Sequence, residues 1–281
     1  MNSLYDETRE ILKKYKIRAN KNLGQNFLVN PTVIEQILKA SEICKNDLVI
    51  EIGPGLGTLT KPLLEKAGKV IAVELDTKMV QILTDRFEEE KIRIINEDVL
   101  KIDLSKLIEE EKGELKTVKI VANLPYYITT PIIMKLLEDR LNVKSITVMI
   151  QKEVADRLTC NPGTKLAGAI TYSVYYYALT EKVYTVPNTS FIPEPEVTSE
   201  VIKLTLREQL AVNVKSEKNL FKVIKVAFMQ RRKTLLNGLS NSGLFTKEKA
   251  REILKELGIE ENVRGEKLTL EQFAKISDYI E

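Results

Sequence analysis

In Leu48-Val49-Ile50-Glu51-Ile52-Gly53-Pro54-Gly55-Leu56-Gly57-Thr58, three glycines stand between an apolar run and the start of helical periodicity. A strand that turns on glycine into a helix lets a ligand approach the backbone with no side chain in the way. Many α/β proteins make such a turn and bind nothing. The G-x-G-x-G spacing with Pro54 also departs from the dinucleotide pattern G-x-G-x-x-G. Two acids narrow the choice. Glu74 closes Val70-Ile71-Ala72-Val73, where an acid can accept hydrogen bonds from both hydroxyls of a ribose. Asp98 follows Ile94-Ile95-Asn96-Glu97 and can accept from an adenine amino group. Acids on successive strands after a glycine turn line up on the carboxyl edge of a parallel sheet, where ligands bind. That chemistry holds an adenosine-containing cofactor. NAD fits the turn and Glu74, but Asp98 less well.

Farther along, Lys119-Ile120-Val121-Ala122 runs into Asn123-Leu124-Pro125-Tyr126. A strand ending in a proline turn beside a packed aromatic is the plain explanation. A chemical one also exists. The amino nitrogen of adenine is a poor nucleophile because its lone pair is delocalised into the ring. If Asn123 Oδ1 and the Leu124 carbonyl each accept one amino hydrogen, the nitrogen can pyramidalise and aim its lone pair at a methyl group. Pro125 fixes the turn, and Tyr126 offers a face on which a base can stack. A methyl carried on a sulfonium needs no general base before attack, so positioning and electrostatics carry the catalysis. The chain contains no histidine. Ser-His-Asp triads, Cys-His pairs and histidine-ligated zinc are thereby excluded, and activation by a cofactor is favoured. Cys44 and Cys160 are in no ligand spacing and read as reduced thiols, so no metal site is expected.

The elements that must position these residues follow from periodicity. From Asp47 to about Leu206, β-branched runs alternate with helical patterns, as in an α/β sheet with helices on both faces. Strands are predicted at 48–52, 69–73, 92–96, 119–122, 145–150, 172–177 and 197–206. Helices are predicted at 31–40, 58–66, 78–87, 130–137 and 153–158. The acidic runs 88–90 and 109–111 read as solvated loops or helix ends. Beyond Leu206 only helical periodicity remains, at 220–239, 247–257 and 270–280. The predicted division is residues 1–206, with a seven-stranded sheet, and a small all-helical domain of residues 207–281.

Formal charge is +3, unevenly spread: residues 207–281 hold 15 Lys/Arg against 11 Asp/Glu, and residues 1–206 hold 28 against 29. Arg9, Lys13, Lys14, Lys16, Arg18 and Lys21 form a basic N-terminal arm. Two solvated faces would explain this; two contacts flanking a polyanion are the alternative, with the arm ordering only on that partner. No apolar run approaches the roughly 20 residues of a membrane span, and the first residues lack the apolar core of a secretory signal. A cytoplasmic protein without membrane contact is expected.

Taken in order, the glycine turn, Glu74, Asp98 and Asn123-Leu124-Pro125-Tyr126 resemble the class I, Rossmann-like, S-adenosylmethionine-dependent methyltransferases acting on adenine N6. More narrowly, the chain is similar from about Ala19 onward to the small-subunit (16S) ribosomal RNA adenine N6,N6-dimethyltransferases of the KsgA type. The segments that carry this likeness are Leu23-Gly24-Gln25-Asn26-Phe27-Leu28, Gln151-Lys152-Glu153-Val154-Ala155-Asp156-Arg157-Leu158, Phe191-Ile192-Pro193-Glu194-Pro195-Glu196-Val197-Thr198-Ser199 and Phe228-Met229-Gln230-Arg231-Arg232-Lys233-Thr234-Leu235.

The resemblance implies methylation of two adjacent adenosines near the 3′ end of that RNA by a monomer acting on the small ribosomal subunit during its biogenesis. It implies that Asn26 and Leu28 lie over S-adenosylmethionine, with Gly53 and Gly55 near its methionine part, Glu74 at its ribose and Asp98 at its adenine. Asn123 would serve cofactor and target base together, with Leu124, Pro125 and Tyr126 completing the catalytic turn. Phe191 would stack on the base from the other face after it leaves its helix. Arg231, Arg232 and Lys233 would contact RNA phosphates. Ala167-Gly168 stands where the family commonly has Tyr-Gly, and Glu196 where it has Lys, departures that bear on RNA contacts.

Two neighbouring readings share parts of the pattern. Large-subunit RNA adenine methylases of the macrolide-resistance type share the turn and the tetrapeptide, and a non-catalytic assembly factor would keep the fold for docking. Residues 151–158 and 228–235 favour the small-subunit enzymes, and the intact set of Gly53, Glu74, Asp98, Asn123 and Tyr126 favours an active one. Taken alone, Phe191 could be core packing, Asn26 a helix cap, and residues 231–233 a solvated helix face.

Overall fold

The computed structural model describes residues 3–20, 23–87, 92–230 and 233–280. They fall into two compact units, Met1–Ala155 with Glu181–Leu206, and Asp156–Thr180 with Arg207–Glu281. Residues 156–180, predicted to belong with the sheet, thus cluster with the C-terminal helices.

The first unit is built around nine strands among the described residues: β1 (Phe27–Leu28), β2 (Asp47–Ile52), β3 (Lys69–Glu74), β4 (Ile92–Asn96), β5 (Thr117–Asn123), β6 (Ser145–Gln151), β7 (Ala178–Val186), β8 (Phe191–Ile192) and β9 (Ser199–Leu206). Seven form one sheet in the order β4-β3-β2-β5-β6-β9-β7, and β1 pairs separately with β8. Strands β2 to β6 run parallel, and β9 is antiparallel to β6. The central strands are apolar without alternation and buried along almost their whole length, as parallel strands covered on both faces must be. Helices α1 (Leu4–Lys14), α2 (Pro31–Ser41), α3 (Thr60–Lys66), α4 (Thr77–Arg86), α5 (Leu104–Lys112), α6 (Thr129–Glu138) and α7 (Lys152–Thr159) lie between or before them. Helix α2 begins where Asn30, not Asn26, accepts the Thr32 N–H at 3.0 Å and Pro31 takes the first position. Its buried stripe is Val33, Ile34 and Ile37.

From β2 the chain builds outward through β3 and β4, then crosses back to β5 and β6 on the other side. The carboxyl ends of β2 and β5 therefore flank a topological switch point, the usual ligand crevice of such sheets. Their register pairs Ile52 with Ala122, so Gly53 and Asn123 leave the sheet side by side. At the other end of the same two strands, Lys119 Nζ lies 2.8 Å from Asp47 Oδ2 and donates to the Glu42 carbonyl at 2.6 Å. Both side chains are almost fully buried. Burial pushes the Asp47 carboxyl up, but hydrogen bonds from Lys119, Thr117 and the Cys44 N–H outweigh it and hold the group below its ordinary range.

The second unit is helical: α8 (Ala169–Tyr177), α9 (Glu217–Met229), α10 (Leu235–Asn241), α11 (Lys247–Glu256) and α12 (Leu270–Ser277), with the end of α7. Residues 172–177, predicted as a strand, are the second half of α8. Tyr172 packs on Phe228 and Phe273 with ring centroids 5.4 and 4.9 Å away, and Tyr176 meets Phe221 edge-on at 5.4 Å. The Tyr172 hydroxyl donates to the Leu268 carbonyl at 2.6 Å, and burial pushes its phenol up to about 12. The i, i+4 spacing of the two tyrosines makes a helix face, a role that their β-propensity conceals. The seventh strand is instead β7, a polar and partly exposed edge. The helix predicted at 220–239 is two helices, because Gln230 leaves helical geometry and Thr234 caps a new start at Asn237 N–H. No helix among the described residues is long and apolar enough to cross a membrane.

Removing Lys119 would leave Asp47 charged and short of its partner in the interior. Lys119→Ala is expected to lower the unfolding free energy by about 3–5 kcal/mol in denaturant titration. Lys106→Ala, at an exposed pair 3.9 Å from Glu110, should change it by less than about 1 kcal/mol.

Candidate active site

The carboxyl edge of the sheet opens into a cavity of about 1120 Å³, counting its open mouth. The glycine turn is one wall. Gly53, Gly55 and Gly57 all have positive φ, at 68°, 58° and 79°, and a side chain at position 57 would collide with the Phe87 ring. The turn is braced from outside by Arg86, which donates to the Leu56 carbonyl and pairs with Glu7 of α1 at 2.8 Å. The N-terminal arm, expected to order only on a partner, is therefore helical over residues 4–14 and packed behind the turn, with Thr8 buried. Lys21 lies outside the described residues.

Glu74 lines the cavity and is 8% exposed. Its two oxygens accept the Gly55 N–H at 3.0 Å and the Asp76 N–H at 2.8 Å, which fixes the carboxylate edge against the turn. Burial nevertheless pushes its carboxyl up. Behind it lies Glu51, 1% exposed and accepting the Thr60 hydroxyl at 2.6 Å. Burial pushes Glu51 to about 8 against that hydrogen bond, and the charge of Glu74 adds to the effect. Glu51 is therefore protonated at neutral pH. Sequence reading passed over it, although a lone charge inside the apolar run 48–52 was the available signal. Asp98 also lines the cavity; its Oδ1 accepts the Leu100 N–H at 3.0 Å, while Oδ2 has no hydrogen bond among the described residues.

After β5, the Leu124 N–H donates to the Met149 carbonyl at 3.1 Å and ties the turn to β6. The Pro125 carbonyl accepts the Ile128 N–H at 3.2 Å and the Thr129 hydroxyl at 3.0 Å. Asn123 Nδ2 donates to the Asn26 carbonyl at 3.3 Å, and Asn26 Nδ2 donates to the Gly24 carbonyl at 3.1 Å. With Nδ2 engaged, Asn123 Oδ1 and the Leu124 carbonyl remain as acceptors with no donor among the described residues, both on cavity-lining residues. Tyr126 lines the cavity too; its hydroxyl is 2.6 Å from Ser199 Oγ, and burial pushes the phenol up. The strap 23–28 forms a further wall, and Gln25 tethers it by donating to Asp76 Oδ2 at 2.8 Å.

The structure thus brings together Asn26, Leu28, Gly53, Gly55, Glu74, Asp98 and Asn123 to Tyr126 in one cavity. Phe191 is not among its lining residues. It is 2% exposed, paired with Leu28 in the β1–β8 ladder and packed in the core with Val33 and Val186. The stacking face predicted for it is not presented to the cavity, because the apolar ring is fully used in the core. Arg231 and Arg232 lie outside the described residues, and Lys233 is exposed in the second unit.

A mostly parallel sheet with a glycine turn, Glu74, Asp98 and the undonated Asn123 and Leu124 oxygens on its carboxyl edge is the architecture of a class I methyltransferase. The sequence model of the ribosomal RNA adenine dimethylase family matches residues 16–281, and the chain belongs to that family. It is 50% identical over 279 residues to a protein of Lachnoclostridium phytofermentans called ribosomal RNA small subunit methyltransferase A, covering 98% of this chain and 96% of that one. The protein of the same name from Clostridioides difficile is 46% identical over 279 residues, covering 99% and 96%. Among solved structures, a dimethyladenosine transferase from Plasmodium falciparum superposes with a TM-score of 0.75 at 27% identity, covering 89% of this chain and 95% of that one. The 23S rRNA methyltransferase ErmE shares the fold, with a TM-score of 0.68 at 21% identity over 91% and 99%.

Glu51 holds its proton in the folded state up to about pH 8, whereas the unfolded chain releases it near 4.5. Its contribution to stability is full below about pH 4.5 and is lost as pH rises toward 8. Glu51→Gln keeps an acceptor for Thr60 and never ionises. Its unfolding free energy should therefore gain on the wild type as pH rises through that window, by a few kcal/mol at most. Parallel pH profiles for the two proteins would overturn the assignment of a protonated Glu51.

Proposed function

We propose that this chain transfers methyl groups from S-adenosylmethionine to N6 of two adjacent adenosines near the 3′ end of small-subunit ribosomal RNA, converting each to N6,N6-dimethyladenosine during subunit biogenesis. The observation that carries the reading is the pair of undonated acceptors, Asn123 Oδ1 and the Leu124 carbonyl, on a turn lining the same cavity as Glu74 and Asp98. Relatives named as methylating small-subunit ribosomal RNA support the choice of substrate.

Glu74 would accept from the ribose hydroxyls, Asp98 Oδ2 from the adenine amine, and the backbone at Gly53 and Gly55 would leave room for the methionine part. Asn26 and Leu28 would close the strap over it. When bound, the cofactor supplies a methyl group already activated on a sulfonium. The chain's own residues then do the positioning. Asn123 Oδ1 and the Leu124 carbonyl each take a hydrogen of the target amine and draw its lone pair out of the ring. The amine loses one proton to solvent as the nitrogen–carbon bond forms. Tyr126, tethered through its hydroxyl to Ser199, holds the base by its face. That hold does not depend on the number of amino hydrogens, so a base with one methyl can be retained for the second transfer. Phe191 enters the stack only if its ring leaves the core. Residues 1–155 with 181–206 would form the catalytic part, and the helical unit of residues 156–180 and 207–281 would contact RNA, with phosphates at Arg231, Arg232 and Lys233. The protein would act as a cytoplasmic monomer.

Asn123→Ala should lower turnover by at least about 100-fold, the scale of one lost polar contact to a transition state, with a much smaller change in cofactor affinity by calorimetry. Turnover that survives while cofactor binding collapses would reduce the turn to a cofactor wall. The substrate is tested by offering separated small and large subunits lacking the modification and weighing the nucleosides after digestion. Dimethyladenosine in small-subunit RNA is the expected product. Its appearance in large-subunit RNA alone would overturn the proposal.

A further inference from the structure

We propose that Tyr127 is a second nucleobase subsite, a stacking platform for the nucleotide adjoining the one whose amine enters the Asn123-Leu124 turn. The inference rests on the reading of the cavity as a site of RNA adenine methylation, and deepens it. Tyr127 lines the cavity yet is 56% exposed, and its hydroxyl has no hydrogen-bond partner among the described residues. More than half of it stays open to solvent, whereas its neighbour Tyr126 is half-buried and bound to Ser199. Its backing is also built. Gly24 of the strap has φ of 60°, and a Cβ there would stand 3.3 Å from Tyr127 Cδ1 and 3.6 Å from Cε1. Bare strap backbone thus lies against the ring, with no side chain from position 24 to cover it. The hydrogen bonds of Ile128 and Thr129 to the Pro125 carbonyl hold the turn that carries it.

A large exposed ring with an unpartnered hydroxyl is a poor use of apolar surface for the fold alone, and a good one for a ligand with a π-face. Position selects which ligand. The carboxylates suited to an adenosine cofactor, Glu74 and Asp98, follow β3 and β4, on the far side of β2 from β5. Tyr127 follows β5, on the turn that takes the target amine. A polynucleotide that delivers one base to Tyr126 brings the next base with it, and stacking accepts any base. Where both adenosines of a pair are substrates, the second waits on Tyr127 while the first is methylated.

The test uses the full chain with Tyr127→Ala, Tyr127→Leu and Tyr127→Phe, each checked for an unchanged melting temperature. Substrates are small subunits lacking the modification, and an RNA hairpin of the same 3′ region with 2-aminopurine beside the target adenosine. Loss of one base stack raises the KM for subunits roughly ten- to hundredfold in the Ala and Leu variants, with cofactor affinity measured without RNA unchanged. The same variants leave more RNA with only one of the two adenosines modified and lose the 2-aminopurine quenching that wild type produces. Tyr127→Phe retains all three wild-type behaviours. An equal loss of cofactor affinity would assign the ring to the cofactor, and wild-type KM and quenching in the Leu variant would refute the subsite. Failure of the underlying reading is separately visible, because the wild type would then yield no dimethyladenosine.

Discussion

The parallel pairing of β2 with β5 is the constraint on which the rest of the molecule depends. Each strand ends in one half of the chemistry, β2 in the glycine turn and β5 in Asn123. A Cβ on Gly53 would stand only 3.8 Å from the Asn123 carbonyl, so the two halves are held at backbone contact. A one-residue slip would turn every side chain of a strand to the opposite face. Register is pinned by the buried pair of Lys119 and Asp47 on the two strands, an ion pair better suited to specifying alignment than to adding stability. The strap through Gln25 and α1 through Arg86 attach to this frame.

The cavity crowds two carboxyl groups where water is scarce. Glu74 remains usable because two backbone N–H groups are aimed at it, while Glu51 answers burial by keeping its proton. Glu74 thus meets the turn through two hydrogen bonds, with the proton-bearing Glu51 beside it and Asp98 lining the same cavity. A ligand bearing a positive charge is favoured by such a site, and a second anion is repelled.

The central strands were legible because uninterrupted β-branched runs leave few alternatives. Residues 172–177 were not, since a run of Tyr and Val has the same composition in a buried helix as in a strand. Strand β7 escaped notice because Glu181 and Lys182 give an edge strand the look of a loop. The common placement of Gly53, Glu74, Asp98 and Asn123 on one cavity could be expected since each stands at or just past a strand end, where sequence order dictates place. Gln25 acquires its place from Asp76, distant in the chain, and no local pattern announces that partner. Phe191 shows the reverse: a residue tied to the site by motif whose ring the fold takes into its core.

The strap has a kinetic meaning beyond its part in the wall. Its C-terminal end is stitched to β8, Asn123 donates to the Asn26 carbonyl, and Gln25 donates to Asp76. Breaking one bond to a charged acceptor costs about 1.5–3 kcal/mol, far less than disturbing the sheet. Local segment motions of loops fall on the nanosecond-to-microsecond scale, well within one turnover of a typical enzyme. The strap is thereby the part of the cavity wall that can give way without disturbing the rigid frame.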